Sequence, residues 1–454
     1  MVANGASPDR GRFGIVADDL TGAADTGLQF KRAGLRTWVI SQFPTKGEAS
    51  LPPDVRTLSV NVDSRHLIGA NAKARTQEAV RWLDSLGCRR FYKKIDSTLR
   101  GNWVSETAGM LGELGWELAV IAPAFPEAGR ITVGGYQLVD GTLVHYSPYA
   151  HDPLSPVTES HLPTILEASG LKVGHLELQI VMRGWEAIAG EIARLYQAGV
   201  RLVSADATRR EDLLAIAEAI KTTPYRILPV GSAGLAEALV TRTVLAGAEL
   251  LGGATPKPLL QRAGKRPVLI LNGSANPVSL QQVRQASEAM RTIMLDVRQL
   301  LLAEDDALHQ LKRQVLQNLL AGLDVLVTAA TTLDHVRRDR ALARDLGMTP
   351  WQLGRAIGEG LARLARAIAD EDVLAGLVIA GGDTAAAVCA ALPDPRLEIL
   401  EEVLPAIPCL QSVGATPLRL VTKSGGFGTP DTLVRIAEHL RLTGSDASSM
   451  LRSR

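Results

Sequence analysis

The sequence predicts an α/β protein of two domains, each a mostly parallel sheet flanked by helices, with an active site in the cleft between the domains. Three observations carry this expectation. Short β-rich runs alternate with longer helical patterns almost from end to end, which is how parallel sheets covered by helices read. At 454 residues the chain exceeds one ordinary core, since domains usually hold roughly 100–200 residues. Between the halves, LAGAELLGGATPKPLLQRAGKRP (245–267) interrupts the periodicity with glycine, proline and lysine, as linkers do.

Taken in order, the first-half strands are FGIVA (13–17), TWVI (37–40), TLSVNV (57–62), a run from Phe91 to Ile95, LAVIAP (118–123), RLVSAD (201–206) and RILPVG (226–231). The second half offers VLILNG (268–273), DVLVTAA (324–330), LVIAGG (377–382) and PLRLVTKSGG (417–426). The expected divisions are a disordered leader (1–12), an N-terminal domain (13–245), a linker (246–266), a C-terminal domain (267–442) and a tail (443–454). No repeat or low-complexity tract is evident.

Forty-nine basic residues against 48 acidic ones give no global field for nucleic acid or an anionic membrane, so a charged ligand must be met by local groups. No apolar stretch reaches the ~18 residues of a membrane span. Small-molecule partners are expected, with neither nucleic acid nor membrane. Cys88, Cys389 and Cys409 are widely spaced, without metal-ligand spacing; this spacing predicts reduced thiols, a cytoplasmic location and no protein metal site.

In open parallel sheets, ligands bind outside the carboxyl ends of strands. Asp18 and Asp19 stand at the first such end, before a helix from Thr21 to Ala33 closed by Gly34. Adjacent carboxylates there suit accepting from sugar hydroxyls, acting as a base or holding a cation, unless one merely caps the helix. TLSVNVDSRH (57–66) repeats the arrangement with Asp63, Ser64 and Arg65.

The densest cluster is KKIDSTLRGN (93–102). Strand alternation places Lys94 and Asp96 on one face and Lys93 and Ile95 on the other, with Ser97, Thr98 and Arg100 in the turn. Gly101 permits close backbone approach before a helix beginning near Asn102. Cations beside an aspartate suit a carboxylate-bearing polyol, unless they form an internal ion pair with that aspartate. APAFPEAGRITVGGYQLVDG (122–141) reads as a turn whose fixed cation is Arg130, with Tyr136 and Gln137 as further polar contacts. In VGSAGLAEAL (230–239) the amides of Ser232 to Gly234 would face an anion, or make only a tight connection. His145 and His151 read as a polar surface loop.

Three glycine-rich turns follow apolar runs in the second half: NGSAN (272–276), AGGDTAAAVCAAL (380–392) and TKSGGFGTPDTL (422–433). Together they suit a phosphate-binding groove of backbone amides, the Ser274 and Thr384 hydroxyls and Lys423. Neither GxxxxGK[ST] nor a GxGxxG opening a βαβ unit occurs.

ADDLTGAADTG, YKKIDSTLRGN, APAFPEAGR, GSAGLAEAL, NGSAN, AGGDTAAA and KSGGFGTPDTL, in that order over roughly residues 13 to 440, resemble the four-carbon acid sugar kinases. The resemblance implies an acid-sugar-binding N-terminal domain, a nucleotide-binding C-terminal domain, and transfer of the ATP γ-phosphate to the terminal hydroxyl of D-threonate, D-erythronate or 3-oxo-tetronate, with Mg²⁺. The form of KKIDSTLRGN is nearer the threonate and erythronate branch. Asp19, Asp96, Lys94 and Arg100 would be the catalytic groups, and Asp18, Asp63, Ser97 and Arg130 would complete the acid-sugar site. Ser274, Gly381, Gly382, Asp383, Thr384, Gly414, Lys423, Ser424, Gly425, Gly426 and Gly428 would hold the nucleotide. A homodimer is admitted. The competing expectations are a catalytically silent binding protein of the same fold and an ATP-independent sugar-acid isomerase or dehydratase. Two departures stand out: Ala275-Asn276 replaces the usual Cys-Ser, and Ala406 replaces the glycine of Pro-Gly-Val-Pro.

Overall fold

A computed structural model describes residues 11–43, 51–152, 155–246, 266–414 and 416–443. The expectations for residues 1–10, 247–265 and 444–454 lie outside the described residues. The chain divides into two compact units, Met1–Gly252 and Gly253–Arg454.

The strands of the first unit are β1 (Arg12–Ala17), β2 (Thr37–Ile40), β3 (Thr57–Asn61), β4 (Cys88–Lys94), β5 (Leu118–Ala122), β6 (Arg130–Val133), β7 (Tyr136–Val139), β8 (Thr142–Leu143), β9 (Val173–Leu176), β10 (Leu202–Ala205) and β11 (Ile227–Gly231). Eight of them form a parallel run in the order β2-β3-β1-β4-β11-β5-β10-β9. Strands such as LAVIA and ILPVG are buried along their whole length, as expected of a parallel sheet covered on both faces. Phe30, Ile192, Ile216 and Leu235 of the covering helices pack against Ile15, Val120 and Val203 of the sheet.

The segment read as a turn over 122–141 instead builds a small antiparallel sheet, β6-β7-β8. Val133 pairs with Tyr136 across Gly134 and Gly135, which take φ of 56° and 79°. Glycine adopts that doubly left-handed two-residue turn without a Cβ penalty, and its twist matches the flanking strands. Asp206 fixes the tip, accepting from the Gly134 and Gly135 amides at 2.8 and 2.9 Å.

The second unit contains β12 (Val268–Asn272), β13 (Arg291–Met294), β14 (Val325–Thr328), β15 (Gly376–Ala380), β16 (Arg396–Leu404), β17 (Ile407–Ser412) and β18 (Arg419–Lys423). Their order is β13-β14-β12-β15-β18-β17-β16, parallel through β18 and antiparallel beyond. Ala406, at the tip of the β16–β17 hairpin, takes φ 60°. That conformation costs a residue with a Cβ about 1–2 kcal/mol, so alanine at this position strains the hairpin tip. Cys88, Cys389 and Cys409 are all buried and outside any disulfide, and burial pushes each thiol up to about 12.

Register, more than strand order, positions the candidate sites. In the first unit Asn61, Ala17, Lys94 and Gly231 lie level across β3, β1, β4 and β11. In the second, Thr328, Asn272, Ala380 and Lys423 lie level across β14, β12, β15 and β18. The turns that leave these strands therefore emerge side by side.

Candidate active site

In the first unit the turn after β1 begins with Asp18, buried, and Asp19, whose Oδ1 accepts from the Gly22 amide at 2.9 Å and caps the helix Leu20–Arg32. Capping and availability prove compatible, because the Asp19 side chain keeps 27% of its surface exposed. The turn after β3 then behaves differently from its sequence reading. Asp63 turns outward in the left-handed region (φ 46°), 57% exposed and 3.7 Å from the His66 ring. Arg65 turns inward instead, with Nε 2.8 Å from Asp18 Oδ2 and Nη1 3.3 Å from Asp19 Oδ2. Burial alone would push the Asp18 carboxyl up, but Arg65, then Lys93 and Lys94, hold it below its ordinary value.

The two lysines of β4 divide as strand alternation requires. Lys93 is fully buried and pairs with the equally buried Glu106 at 2.8 Å, while Ser64 Oγ donates to the other Glu106 oxygen at 2.5 Å. Lys94 is only 6% exposed, yet no hydrogen bond or ion pair reaches its ammonium among the described residues. A Cβ on Gly22 would lie 2.8 Å from Lys94 Nζ; glycine leaves room for that ammonium beside Asp19.

Asp96 accepts from Thr98 Oγ1 and from Arg100 Nε, the latter at 2.7 Å. Burial opposes ionisation here too, but Arg100 and then Arg65 hold the carboxyl far below the usual range. Arg100 also reaches Asp152 at 3.2 Å and lies over the Tyr149 ring at 5.0 Å. The internal-pairing alternative thus describes Arg100, whose guanidinium is already matched by two carboxylates. Ser97 is half-buried and accepts through its carbonyl from Gln137 Nε2 at 2.8 Å. Gln137 is therefore a brace between the hairpin and this turn. Arg130 donates to the Ala128 carbonyl and lies 3.5 Å from Tyr149 Oη. Tyr136 stacks on His161, with ring centroids 4.6 Å apart. The GSAG turn is packed tight: Ser232 Oγ donates to the Ala124 carbonyl at 2.7 Å, and a Cβ on Gly231 would lie 2.5 Å from the Ala122 carbonyl oxygen. His145 Nδ1 meets Ser160 Oγ at 2.8 Å, and His151 is exposed.

In the second unit the three glycine turns converge on Ser274. A Cβ on Gly381 (φ 112°) would lie 3.4 Å from the Ser274 amide nitrogen, and one on Gly425 would collide with Ser274 Oγ. A Cβ on Gly273 would collide with Thr384 Oγ1. Backbone bonds join the turns: Gly273 N donates to Ala380 O (3.1 Å) and Gly381 N to Lys423 O (2.9 Å). Gln282, fully buried, donates to the Phe427 and Thr429 carbonyls at 2.9 and 3.0 Å and holds the third turn in place. The Ala275-Asn276 departure preserves the helix start, because Asn276 Oδ1 accepts from the Val278 amide at 2.9 Å; asparagine caps as well as serine. Gly382 and Asp383 open the helix Gly382–Ala391, with the Asp383 side chain exposed. Gly428 (φ 90°) turns the chain toward the helix Thr432–Thr443, against Thr432. Gly414 does not join the cluster: its Cβ position meets Asp394 at 3.6 Å.

Lys423 donates to the Ser424 and Gly425 carbonyls at 2.7 and 3.4 Å, and no carboxylate pairs with it among the described residues. Burial lowers its ammonium from 10.5 to about 8. The unfolded chain therefore binds more protons between those values, so this group's contribution to stability is lost as pH falls from 10.5 through 8. An anion bound at Lys423 would raise that pKa again. If that anion is a nucleotide phosphate, nucleotide affinity is expected to fall by about tenfold from pH 7 to pH 9, with proton uptake on binding near pH 8. Titration calorimetry of ADP in two buffers of different ionisation enthalpy measures the uptake, and Lys423→Met should abolish it.

The described residues bring no group of three histidine, cysteine, aspartate or glutamate side chains together for a metal. No helix among them is long and apolar enough to cross a membrane.

A basic and acidic cluster at the strand ends of the first unit and a cluster of glycine turns in the second have the chemistry expected for a small polar acid and a phosphate-bearing ligand. Comparison with known proteins makes the class specific. A family model described as a sugar-binding N-terminal domain matches residues 13–239, and one described as a nucleotide-binding C-terminal domain matches residues 269–433. The chain is 34% identical over 440 residues to a D-threonate kinase of Bordetella bronchiseptica, covering 94% of this chain and 97% of that one. It is 33% identical over 435 residues to a 3-oxo-tetronate kinase of Cupriavidus necator and 32% identical over 443 residues to a D-erythronate kinase of Heliobacterium modesticaldum, each covering 94% of this chain and 96% of the relative. Among solved structures, a Haemophilus influenzae protein superimposes with a TM-score of 0.73 at 27% identity, covering 94% of this chain and 100% of that one. A Salmonella typhimurium protein does so with 0.79 at 25%, covering 94% and 99%. The chain belongs to the four-carbon acid sugar kinases, phosphotransferases that use an alcohol group as acceptor.

Proposed function

We propose that the chain transfers the γ-phosphoryl group of ATP to the terminal (4-) hydroxyl of D-threonate or D-erythronate. The substrate oxygen forms the new O–P bond, the bond between the γ-phosphorus and the bridging oxygen breaks, ADP leaves, and the hydroxyl proton passes to a carboxylate. The observation that carries this reading is Lys94: a nearly buried ammonium without an ion-pair partner among the described residues, beside two aspartates at the end of β4. A hydroxylated anion supplies what that arrangement lacks, since its carboxylate pairs with the cation and its hydroxyls donate to the aspartates.

Phosphoryl transfer asks mainly for positioning and charge neutralisation. Asp96 Oδ2 already accepts from Thr98 and Arg100, which suits it to orient the substrate. Asp19, with its more open carboxylate, receives the proton. Asp18, Ser97 and Arg130 line the acid-sugar site, and Arg100 keeps Asp96 in place. In the other unit, the turns around Ser274, Gly381, Gly382, Thr384 and Lys423 to Gly428 hold the nucleotide through backbone amides, the two hydroxyls and the lysine. Mg²⁺ neutralises phosphate charge when bound. With no protein cage among the described residues, the Thr384 hydroxyl and Asp383 are the side chains suited to hold it, beside phosphate oxygens and water.

A coupled ADP-release assay over D-threonate, D-erythronate, their L-forms and 3-oxo-tetronate tests the reading. Turnover is expected with one of the first two. 3-Oxo-tetronate is the second candidate because a relative of that name is 33% identical. ATP turnover that ignored every four-carbon acid would overturn the assignment.

A further inference from the structure

The carboxylates of the acid-sugar site come from two neighbouring turns, yet one side chain from a third turn binds them together. Arg65 bonds Asp18 Oδ2 through Nε at 2.8 Å and reaches Asp19 Oδ2 through Nη1 at 3.3 Å, and it acts electrostatically on Asp96 as well. Its backbone is fixed from several sides. Ser64 N donates to the Asp18 carbonyl at 3.1 Å, Ser64 Oγ is held by Glu106, and Asn102 Nδ2 donates to the Ser64 and Leu67 carbonyls at 3.0 and 2.8 Å. Gly101 clears the space, for a Cβ there would stand 2.8 Å from Asp18 Oδ2 and 3.6 Å from Arg65 Cγ.

The oxygen atoms then divide sharply. Asp19 gives one oxygen to the Gly22 amide and one to Arg65. Asp18 gives Oδ2 to Arg65, while its buried Oδ1 has no hydrogen-bond partner among the described residues. Two adjacent carboxylates without a shared cation would repel, and one would take up a proton. A guanidinium suits this task better than an ammonium because its planar fork serves two acceptors at once.

We propose that Arg65 is the positioning residue of the acid-sugar site, a clamp that bridges the Asp18 and Asp19 carboxylates and holds them oriented toward the substrate hydroxyls. This rests on the kinase reading above. The clamp acts through the aspartates and does not itself bind the substrate carboxylate, which is left to Lys94. The other charged groups facing the pair are Lys93 and Lys94 of β4, with Asp96 and Arg100 in the turn after that strand and Glu106 behind Lys93.

The test is the pH dependence of kcat/KM for the acid sugar in wild type, Arg65→Gln and Arg65→Lys, with ADP affinity measured by calorimetry on each. Arg65→Gln is expected to lower kcat/KM by about 10²-fold and to move the acid limb of the profile upward by about one unit, with ADP affinity unchanged. Arg65→Lys restores the charge and the limb but reaches a single carboxylate, so roughly a tenfold loss in kcat persists. A folded Arg65→Gln enzyme whose acid limb stays at the wild-type position overturns the clamp, because a merely structural defect scales the rate without shifting the profile. If Arg65→Gln does not fold, Arg65→Lys decides: an unchanged kcat overturns the proposal. Wild-type enzyme inert toward every tetronate would sink the kinase reading itself, and the clamp with it; active wild type with an unmoved limb sinks the clamp alone.

Discussion

Replacing Lys94 with methionine is expected to lower kcat/KM for the acid sugar by roughly 10²–10³-fold and to leave the melting temperature unchanged or higher. The two effects share a cause. An ammonium that is 6% exposed and has no hydrogen-bond partner among the described residues has only the electrostatic attraction of nearby carboxylates such as Asp18 to set against its desolvation. A methionine of similar length fills the same space without that cost. Once an anionic substrate is bound, the balance reverses, because a charge-assisted hydrogen bond in a shielded site contributes about 1.5–3 kcal/mol and a preorganised donor to developing charge about 2.7–4 kcal/mol. Steady-state kinetics with scanning calorimetry separates the terms. A Lys94→Met protein that melts many degrees lower yet turns over normally would show that the lysine serves the fold.

Gly273→Ala is expected to weaken ADP binding by about 5- to 150-fold, whereas Gly426→Ala in the same set of turns should change it little. The added methyl at 273 would collide with Thr384 Oγ1, a buried side chain in the first turn of the helix Gly382–Ala391. Relieving such overpacking costs about 1–3 kcal/mol. Here the turn must move, and the amides proposed to face the phosphates move with it. At Gly426 the methyl meets only Asn276 Nδ2 at 3.7 Å, an ordinary contact. Calorimetric titration with ADP on both variants tests the pair; equal affinities would separate the Ser274 cluster from the nucleotide.

Much of the fold is legible in the sequence because parallel strands advertise themselves. FGIVA, LAVIA and VLIL are apolar along their whole length, and a polar or glycine-rich turn follows each. Strands that lack such a run are harder to see. β9 and β13 are four residues of mixed character, and β16, RLEILEEVL, mixes three glutamates with apolar residues without strict alternation before a turn that holds Ala406. β6 and β7 do carry a signal, since Gly-Gly between β-branched and aromatic residues is the composition of a two-residue hairpin. Among site residues, Asp63 and Arg65 belong to one polar turn, and nothing in their order reveals that the left-handed backbone at Asp63 faces the aspartate outward and the arginine in. Pairing is less visible in a string: alternation puts Lys93 and Lys94 on opposite faces but does not show that one meets Glu106 and the other is left without a hydrogen-bond or ion-pair partner among the described residues.

The bonds from Gly273 N to Ala380 O and from Gly381 N to Lys423 O run from each bend to the end of the neighbouring strand. Three loops far apart in the chain are thereby welded into a single plate at the rim of one sheet. Such a plate resists reshaping one loop at a time, so diversification among related enzymes should proceed by exchanging the side chains mounted on it, with its outline conserved.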